Sequence, residues 1–257
     1  GLAHFGVYQE LTEAGVVIDR FGGTSSGAIA SAAFALGMDA GDAIAAAREF
    51  IAGSDPLGDY TIPISALTRG GRVDRLVQGF FGNTLIEHLP RGFFSVSADM
   101  ITGDQIIHRR GSVSGAVRAS ISIPGLIPPV HNGEQLLVDG GLLNNLPANV
   151  MCADTDGTFV PSKGFGLLPP IVTPPGLLRR LLTGTDNALP PLQETLLRAF
   201  DLAASTANLR ELPRVAAIIE PDVSKIGVLN FKQIDAALEA GRMAARAALQ
   251  AQPDLVR

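Results

Sequence analysis

A five-residue stretch, Gly23-Thr24-Ser25-Ser26-Gly27, stands between a short run rich in β-branched residues and a run of small apolar residues. The preceding run, residues 16–21, predicts a buried strand, and the following run, residues 26–36, predicts a closely packed helix. A sharp turn between a strand and a helix lifts a serine above the sheet, and its flanking glycines leave room for that turn. The stretch therefore favours an α/β fold with Ser25 at a helix N-terminus, where free N–H groups stabilise developing negative charge.

Predicted strands and helices alternate along the rest of the chain. A strand pair is expected at residues 93–100 and 104–109 around the turn Thr102-Gly103-Asp104, and residues 135–138 form a short apolar strand. The other predicted elements are helices at residues 2–14, 42–50, 73–80, 113–120, 191–209 and 231–250 and a strand at residues 215–219. Alternation of this kind predicts a layered α/β sheet, and we expect a single domain over residues 1–257.

Composition bounds the function. The net charge of −5 disfavours nucleic-acid binding, because no basic field is available to displace counterions from phosphates. The single cysteine, Cys152, excludes an internal disulfide and fits a reducing compartment. The sequence has no run of 18 uncharged apolar residues and no signal-peptide pattern, so we expect a cytoplasmic protein.

A nucleophilic serine needs a base, and the four histidines are poor candidates. In the α/β-hydrolase order the histidine follows both the serine and the acid, and no histidine follows His131. His108 and His131 are expected in solvated positions, and His4 is expected on the surface of the first helix. The histidines also lack the spacing of metal ligands, so no metal or other cofactor is predicted.

Asp139 is the alternative base. It ends the short apolar strand LLVD and is followed by Gly140 and Gly141. Functional groups of α/β folds often lie at such strand ends, although an Asp-Gly pair is also typical of an ordinary Asx turn. A carboxylate with the usual pKa of about 3.9 is a weak base, so burial beside Ser25 would have to raise its pKa.

Serine in G-x-S-x-G followed by aspartate in D-G-G resembles the Ser–Asp dyad of the patatin-like phospholipases. Three further stretches resemble that family: GLAHFGVYQELTEAGVVIDRFGGTSSGAI at residues 1–29, AVRASISIPGLIPPV at residues 116–130 and VDGGLLNNLPANVM at residues 138–151. Within the family, the sequence is most similar to bacterial relatives of neuropathy target esterase. The similarity is strong over residues 1–151 and looser beyond them.

The resemblance implies a layered α/β/α fold with a central, mostly parallel sheet. It implies a serine lipid hydrolase that cleaves acyl esters of phospholipids or lysophospholipids, with peripheral membrane contact. Ser25 and Asp139 correspond to the catalytic pair. The positions implied around them are Gly1, Gly23, Ser26 and Gly27 at the elbow and oxyanion site, and Gly140 and Gly141 at the aspartate turn.

Two departures keep other functions open. The family carries a glycine-rich loop, G-G-G-x-R-G, before its first helix, and only its last glycine is present here, as Gly1. Residues 151–165 supply only part of the central strand expected after the aspartate helix. We therefore expect weak activity of the chain by itself, and a lipid-binding or regulatory module without a full oxyanion hole is the main alternative. An acyltransferase that uses the same acyl-enzyme is a second alternative.

Residues 164–184, GFGLLPPIVTPPGLLRRLLTG, are apolar and rich in proline. Prolines prevent one continuous helix through the first half of this segment. One interpretation is an apolar surface that controls access of lipid, with Arg179 and Arg180 at an anionic interface. The other is that its leucines cover a face of the sheet.

Overall fold

The computed structural model describes residues 1–52, 57–61, 66–163, 212–224, 226 and 233–256. These residues contain eight α-helices and five strands. In chain order the elements are α1 (Ala3–Glu13), β1 (Arg20–Thr24), α2 (Ser26–Ala35), α3 (Ala40–Ala52), α4 (Gly71–Phe81), β2 (Gly92–Asp99), β3 (Gln105–His108), α5 (Val113–Ser120), β4 (Val130–Asn132), β5 (Gln135–Asp139), α6 (Gly141–Asn144), α7 (Ala148–Asp154) and α8 (Ile234–Ala251).

Strand β2 is the centre of the sheet. Along one edge it pairs first with β1, in parallel, and then with β5, in antiparallel orientation. The last residue of β1, Thr24, lies opposite Val96, and the last residue of β5, Asp139, lies opposite Ser97. The register therefore brings the ends of β1 and β5 to consecutive residues of β2.

The pairing among the described strands is more mixed than a mostly parallel sheet. Strand β3 returns antiparallel to the other edge of β2 through the tight turn at Gly103, and β4 pairs antiparallel with β5. Two further parallel bridges join Phe159 to Val215 and Ser162 to Ile219. Short hairpin connections account for the antiparallel pairing of β2 with β3 and of β4 with β5.

Helices cover both faces of the sheet. Side chains of alternating sheet residues, such as Phe21 and Phe93, join a core cluster with Val113 and Val117 of α5. Phe94 and Val96 point to the opposite face and pack on Val150 of α7. The predicted α/β layering is thus confirmed.

Most helices follow their predicted bounds, whereas strand β1 is shifted from its predicted position. The strand was expected at residues 16–21 and lies at Arg20–Thr24, while the Val17 side chain is 92% exposed. The glycines decide the shift, because a Cβ on Gly22 would lie 2.2 Å from the Phe94 ring. The Phe94 ring occupies the space beside Gly22, so a residue with a side chain does not fit at this point of the strand. Strand β4, at Val130–Asn132, was not predicted.

Helix α8 packs on α1 through glycines. A Cβ on Gly241 would lie 2.1 Å from the Ala3 carbonyl oxygen, and a Cβ on Gly6 would lie 1.9 Å from the Leu238 oxygen. At the edge of this contact, Arg246 Nε lies 2.8 Å from Glu10 Oε1, and Arg242 pairs with both Glu10 and Glu13. The C-terminal helix therefore fixes α1, whose first turn lies beside the elbow at Ser26.

Several expectations fall outside the described residues. These are the apolar segment 164–184 and the helix at residues 191–209. The strand expected at 215–219 contributes only the two isolated bridges. The single-domain organisation over residues 1–257 stays a prediction.

Candidate active site

Ser25 occupies a strained turn between β1 and α2. Its φ of 56° and ψ of −128° lie in a region that residues with a side chain rarely adopt. The turn is tight, because a Cβ on Gly23 would lie 2.4 Å from the carbonyl carbon and oxygen of Gly27. The backbones of the two motif glycines, Gly23 and Gly27, are thus in close contact with each other. This contact holds Ser25 at the start of α2.

Hydrogen bonds fix both ends of the turn. The Ser25 N–H donates to Ser120 Oγ at 2.9 Å, and the Ser25 carbonyl oxygen accepts from the Ala28 N–H at 2.9 Å. Thr24 Oγ1 donates to the Asn144 carbonyl oxygen at 2.8 Å, which ties the turn to α6. The first N–H groups of α2 have no partner inside the helix, so Ser26 N–H is a candidate oxyanion donor.

Asp139 is completely buried at the end of β5. Its Oδ1 accepts from the Gly141 N–H at 2.9 Å, and its own N–H donates to the Ser122 carbonyl oxygen at 2.9 Å. Gly140 is required here by space, since a Cβ would lie 2.4 Å from the Val96 oxygen. The aspartate turn therefore lies directly against the central strand.

Burial raises the pKa of Asp139 from the ordinary 3.8 to about 7, although hydrogen bonds from the Ser25 side chain and the Gly141 N–H partly oppose the rise. Asp139 Oδ2 has no hydrogen-bond partner among the described residues. The Ser25 side chain nevertheless favours the ionised carboxyl, and bonds between catalytic groups are often long or poorly aligned before substrate binds. A carboxylate with a pKa near 7 suits general-base chemistry at neutral pH.

None of the four histidines, all of them within the described residues, hydrogen-bonds to Ser25 or Asp139. His88 and His131 are exposed. His108 is half-buried rather than solvated, and its Nε2 lies 2.7 Å from Ser97 Oγ. His4 is also half-buried, with Nδ1 3.2 Å from Ser162 Oγ, so its expected place on the helix surface was wrong.

Gly1 lies against the start of α2, where an added Cβ would be 2.6 Å from Ser26 Cβ. A cavity of about 890 Å³ runs from there between α1, β1 and residues 158–163. Thr24, Ser26 and Gly27 line it, whereas Ser25 and Asp139 do not. The cavity therefore borders the backbone of the elbow rather than the two candidate catalytic side chains.

Among the described residues, no cluster of three or more His, Cys, Asp or Glu side chains has a geometry that could hold a metal ion. No helix there is long and apolar enough to cross a membrane.

The fold is mixed α/β, and it places a strained serine elbow beside a buried aspartate. The sequence model described as "Patatin-like phospholipase" matches residues 1–151. Because this match covers more than half of the chain, the chain belongs to the patatin-like phospholipase family, as the sequence motifs predicted.

Two relatives and one solved structure give the context. A protein of Mycobacterium tuberculosis named as an uncharacterised NTE family protein is 97% identical over an alignment of 266 positions, which covers 100% of this chain and 46% of that protein. The "Lysophospholipase NTE1" of Candida glabrata is 34% identical over 157 residues, covering 60% of this chain and 9% of that protein. The crystal structure of VipD from Legionella pneumophila matches with a TM-score of 0.53 at 13% identity, over 98% of this chain and 65% of that one. The chain thus spans less than half the length of the two relatives, and the VipD match concerns the fold alone.

Ser120 and Ser122 contact the two candidate residues and were missed from sequence. They lie within the family-like stretch at residues 116–130, but nothing in its pattern distinguished these serines. The contact of Ser120 spans 95 residues to Ser25 and depends on how α5 packs.

Proposed function

We propose that this domain is a serine acyl hydrolase of phospholipids or lysophospholipids, with Ser25 as the nucleophile and Asp139 as its base. One observation carries the proposal: the ends of β1 and β5 lie opposite consecutive residues of β2. This register brings a serine on a strained elbow close to a buried aspartate whose pKa is raised to about 7. Family membership supports a lipid ester as substrate. The name of the Candida glabrata relative, a lysophospholipase, supports a lysophospholipid in particular.

In the acylation step Asp139 takes the proton of the Ser25 hydroxyl as Ser25 Oγ bonds to the ester carbonyl carbon. The carbonyl oxygen becomes an oxyanion, which the Ser26 N–H is suited to bind. One such donor typically lowers the barrier by roughly 2.7–4 kcal/mol. The bond from the carbonyl carbon to the alcohol oxygen then breaks, and Asp139 returns its proton to that oxygen. The glycerophosphate part leaves as the alcohol.

Deacylation repeats the same transfers with water. Asp139 accepts a proton from water as the water oxygen bonds to the acyl carbon, and the bond to Ser25 Oγ breaks. Ser25 recovers its proton from Asp139, and the fatty acid is released. Every proton moves between oxygen atoms of Ser25, Asp139, water and the substrate. Lipid substrates reside at membranes, and we therefore expect the domain to act in the cytoplasm with peripheral membrane contact.

The test is fatty-acid release from a lysophospholipid by the protein expressed from its complete reading frame. The rate should rise with pH and reach half its maximum near pH 7, because Asp139 must be ionised to act as base. Ser25→Ala should abolish release. Binding of the lipid without release would instead favour the regulatory alternative, and accumulation of diacyl lipid would favour acyl transfer.

A further inference from the structure

Ser120 lies beneath the elbow, at the last residue of α5, and is fully buried. Its hydroxyl accepts from the Ser25 N–H at 2.9 Å and donates to the Val96 carbonyl oxygen at 2.7 Å. One oxygen atom therefore joins the elbow to the central strand. Both of its partners are main-chain groups, so the bond fixes backbone rather than side-chain positions.

The strain at Ser25 makes this connection important. A residue with φ of 56° and ψ of −128° persists only where its surroundings hold it. The glycines at positions 23 and 27 permit the turn, but they do not favour it over other conformations that glycine can adopt. The hydrogen bond from the Ser25 N–H to Ser120 fixes the peptide plane at the entry to this strained residue.

The same segment holds the aspartate. Two residues beyond Ser120, the Ser122 carbonyl oxygen accepts the N–H of Asp139 at 2.9 Å. Val96, which binds Ser120, and Ser97, which lies opposite Asp139, are consecutive in β2. Residues 120–122 thus contact the elbow, the central strand and the end of β5 within one turn of chain.

We propose that Ser120 is a positioning residue that sets the distance between Ser25 and Asp139, an inference that rests on the proposed hydrolase function for its effect on rate. Removing the hydroxyl leaves two buried main-chain groups without a partner and frees the strained turn. Misplacement of a reacting group by about 1 Å typically lowers a rate by about 10²-fold. Ser120→Ala should therefore lower kcat by about 10- to 100-fold and change KM by less than about threefold, because Ser120 touches no substrate.

Ser114→Ala is the matched control. Ser114 is a buried serine of the same helix, and its hydroxyl bonds to Gln78 Oε1 and to the Gly82 carbonyl oxygen, on the side of α4. Both variants remove one buried hydroxyl from α5, but only Ser120 reaches the elbow. Ser114→Ala should leave kcat within about twofold of wild type.

The experiment compares wild type, Ser120→Ala, Ser120→Cys and Ser114→Ala in the protein from its complete reading frame. It measures kcat and KM on a lysophospholipid, and amide hydrogen exchange of peptides that cover residues 20–28 and 135–141. Ser120→Ala should speed exchange in both peptides by about tenfold or more, and Ser114→Ala should not. Ser120→Cys keeps a donor and an acceptor at this position in a slightly larger, more weakly hydrogen-bonding thiol, so it should show smaller changes of the same kind and decides the matter if Ser120→Ala does not fold.

Unchanged exchange at residues 20–28 in Ser120→Ala or in folded Ser120→Cys would overturn the inference, as would equal losses of kcat in Ser120→Ala and Ser114→Ala. Failure of the proposed function has a different signature. In that case wild type releases no fatty acid, while the exchange at the elbow still responds to Ser120 and not to Ser114.

Discussion

Asp139→Asn should abolish turnover and yet stabilise the fold at alkaline pH. Burial raises the pKa of Asp139 from 3.8 to about 7. Each pKa unit corresponds to about 1.36 kcal/mol, so ionisation of this carboxyl disfavours the folded state by about 4 kcal/mol. Asparagine keeps the shape and the acceptor for the Gly141 N–H, and it removes both the charge and the base.

The direction with pH follows from proton binding. Between pH 3.8 and about 7 the folded protein keeps the Asp139 proton that the unfolded chain has lost. Stability of the wild type therefore falls as pH rises through this window, and the contribution of Asp139 is constant above it. Asp139→Asn has no carboxyl to ionise here, so its stability relative to the wild type should increase from about pH 4 to pH 7.

The net gain is smaller than the full electrostatic term. The amide that Asp139→Asn introduces would leave a buried donor without a well-aligned partner, which costs roughly 1–3 kcal/mol. We expect a net gain of roughly 1–3 kcal/mol at pH 8, and each kcal/mol raises Tm by roughly 2–4 °C in a domain of this size.

Thermal and denaturant unfolding of wild type and Asp139→Asn at pH 4.5 and pH 8 measure this gain. Asp99→Asn is the control, because the Asp99 carboxylate is also buried but accepts N–H bonds from Ile101 and Leu136. That variant should not raise stability. A less stable Asp139→Asn at pH 8, or a stability difference that is the same at both pH values, would refute the account of Asp139.

Two further predictions concern backbone geometry. Ser25→Gly should be about 0.5–2 kcal/mol more stable than Ser25→Ala in denaturant titrations, because glycine adopts φ of 56° without strain, and a more stable alanine variant would contradict the strained elbow. Gly241→Ala should lower the free energy of unfolding by roughly 1–3 kcal/mol, since its Cβ would lie 2.1 Å from the Ala3 oxygen. Gly79→Ala, on the open face of α4, should raise it by up to roughly 1 kcal/mol. Equal effects of the two substitutions would show that α1 and α8 are not in close contact.

Sequence patterns predicted the elements with strong periodicity and the two motifs. Helices α1, α2 and α5 and the hairpin of β2 and β3 follow their predicted bounds within a few residues, because their apolar spacing and turn glycines act locally. Ser25 and Asp139 could be proposed together because each lies in a short motif of fixed local geometry. Their proximity depends on the β2 register, and no local pattern specifies that register.

The features that sequence missed are set by tertiary contacts. Strand β1 lies at Arg20–Thr24, where Gly22 leaves room for the Phe94 ring of the neighbouring strand. The apolar pattern of the sequence favoured the β-branched residues before it. His108 is half-buried because it meets Ser97 across the hairpin. In the sequence, Ser120 cannot be distinguished from other small helix residues, because its contact with Ser25 depends on how α5 packs against the elbow.

The most direct measurement for the central claim is covalent labelling with a fluorophosphonate probe, followed by peptide mass spectrometry. The probe reacts with a serine only where a base and an oxyanion site activate it. The protein from its complete reading frame should carry one adduct, on Ser25, and Ser25→Ala should carry none. Asp139→Asn should label far more slowly, while Ser114→Ala should label like wild type. An adduct on another residue, or equal labelling of wild type and Ser25→Ala, would contradict the assignment of Ser25 as the nucleophile.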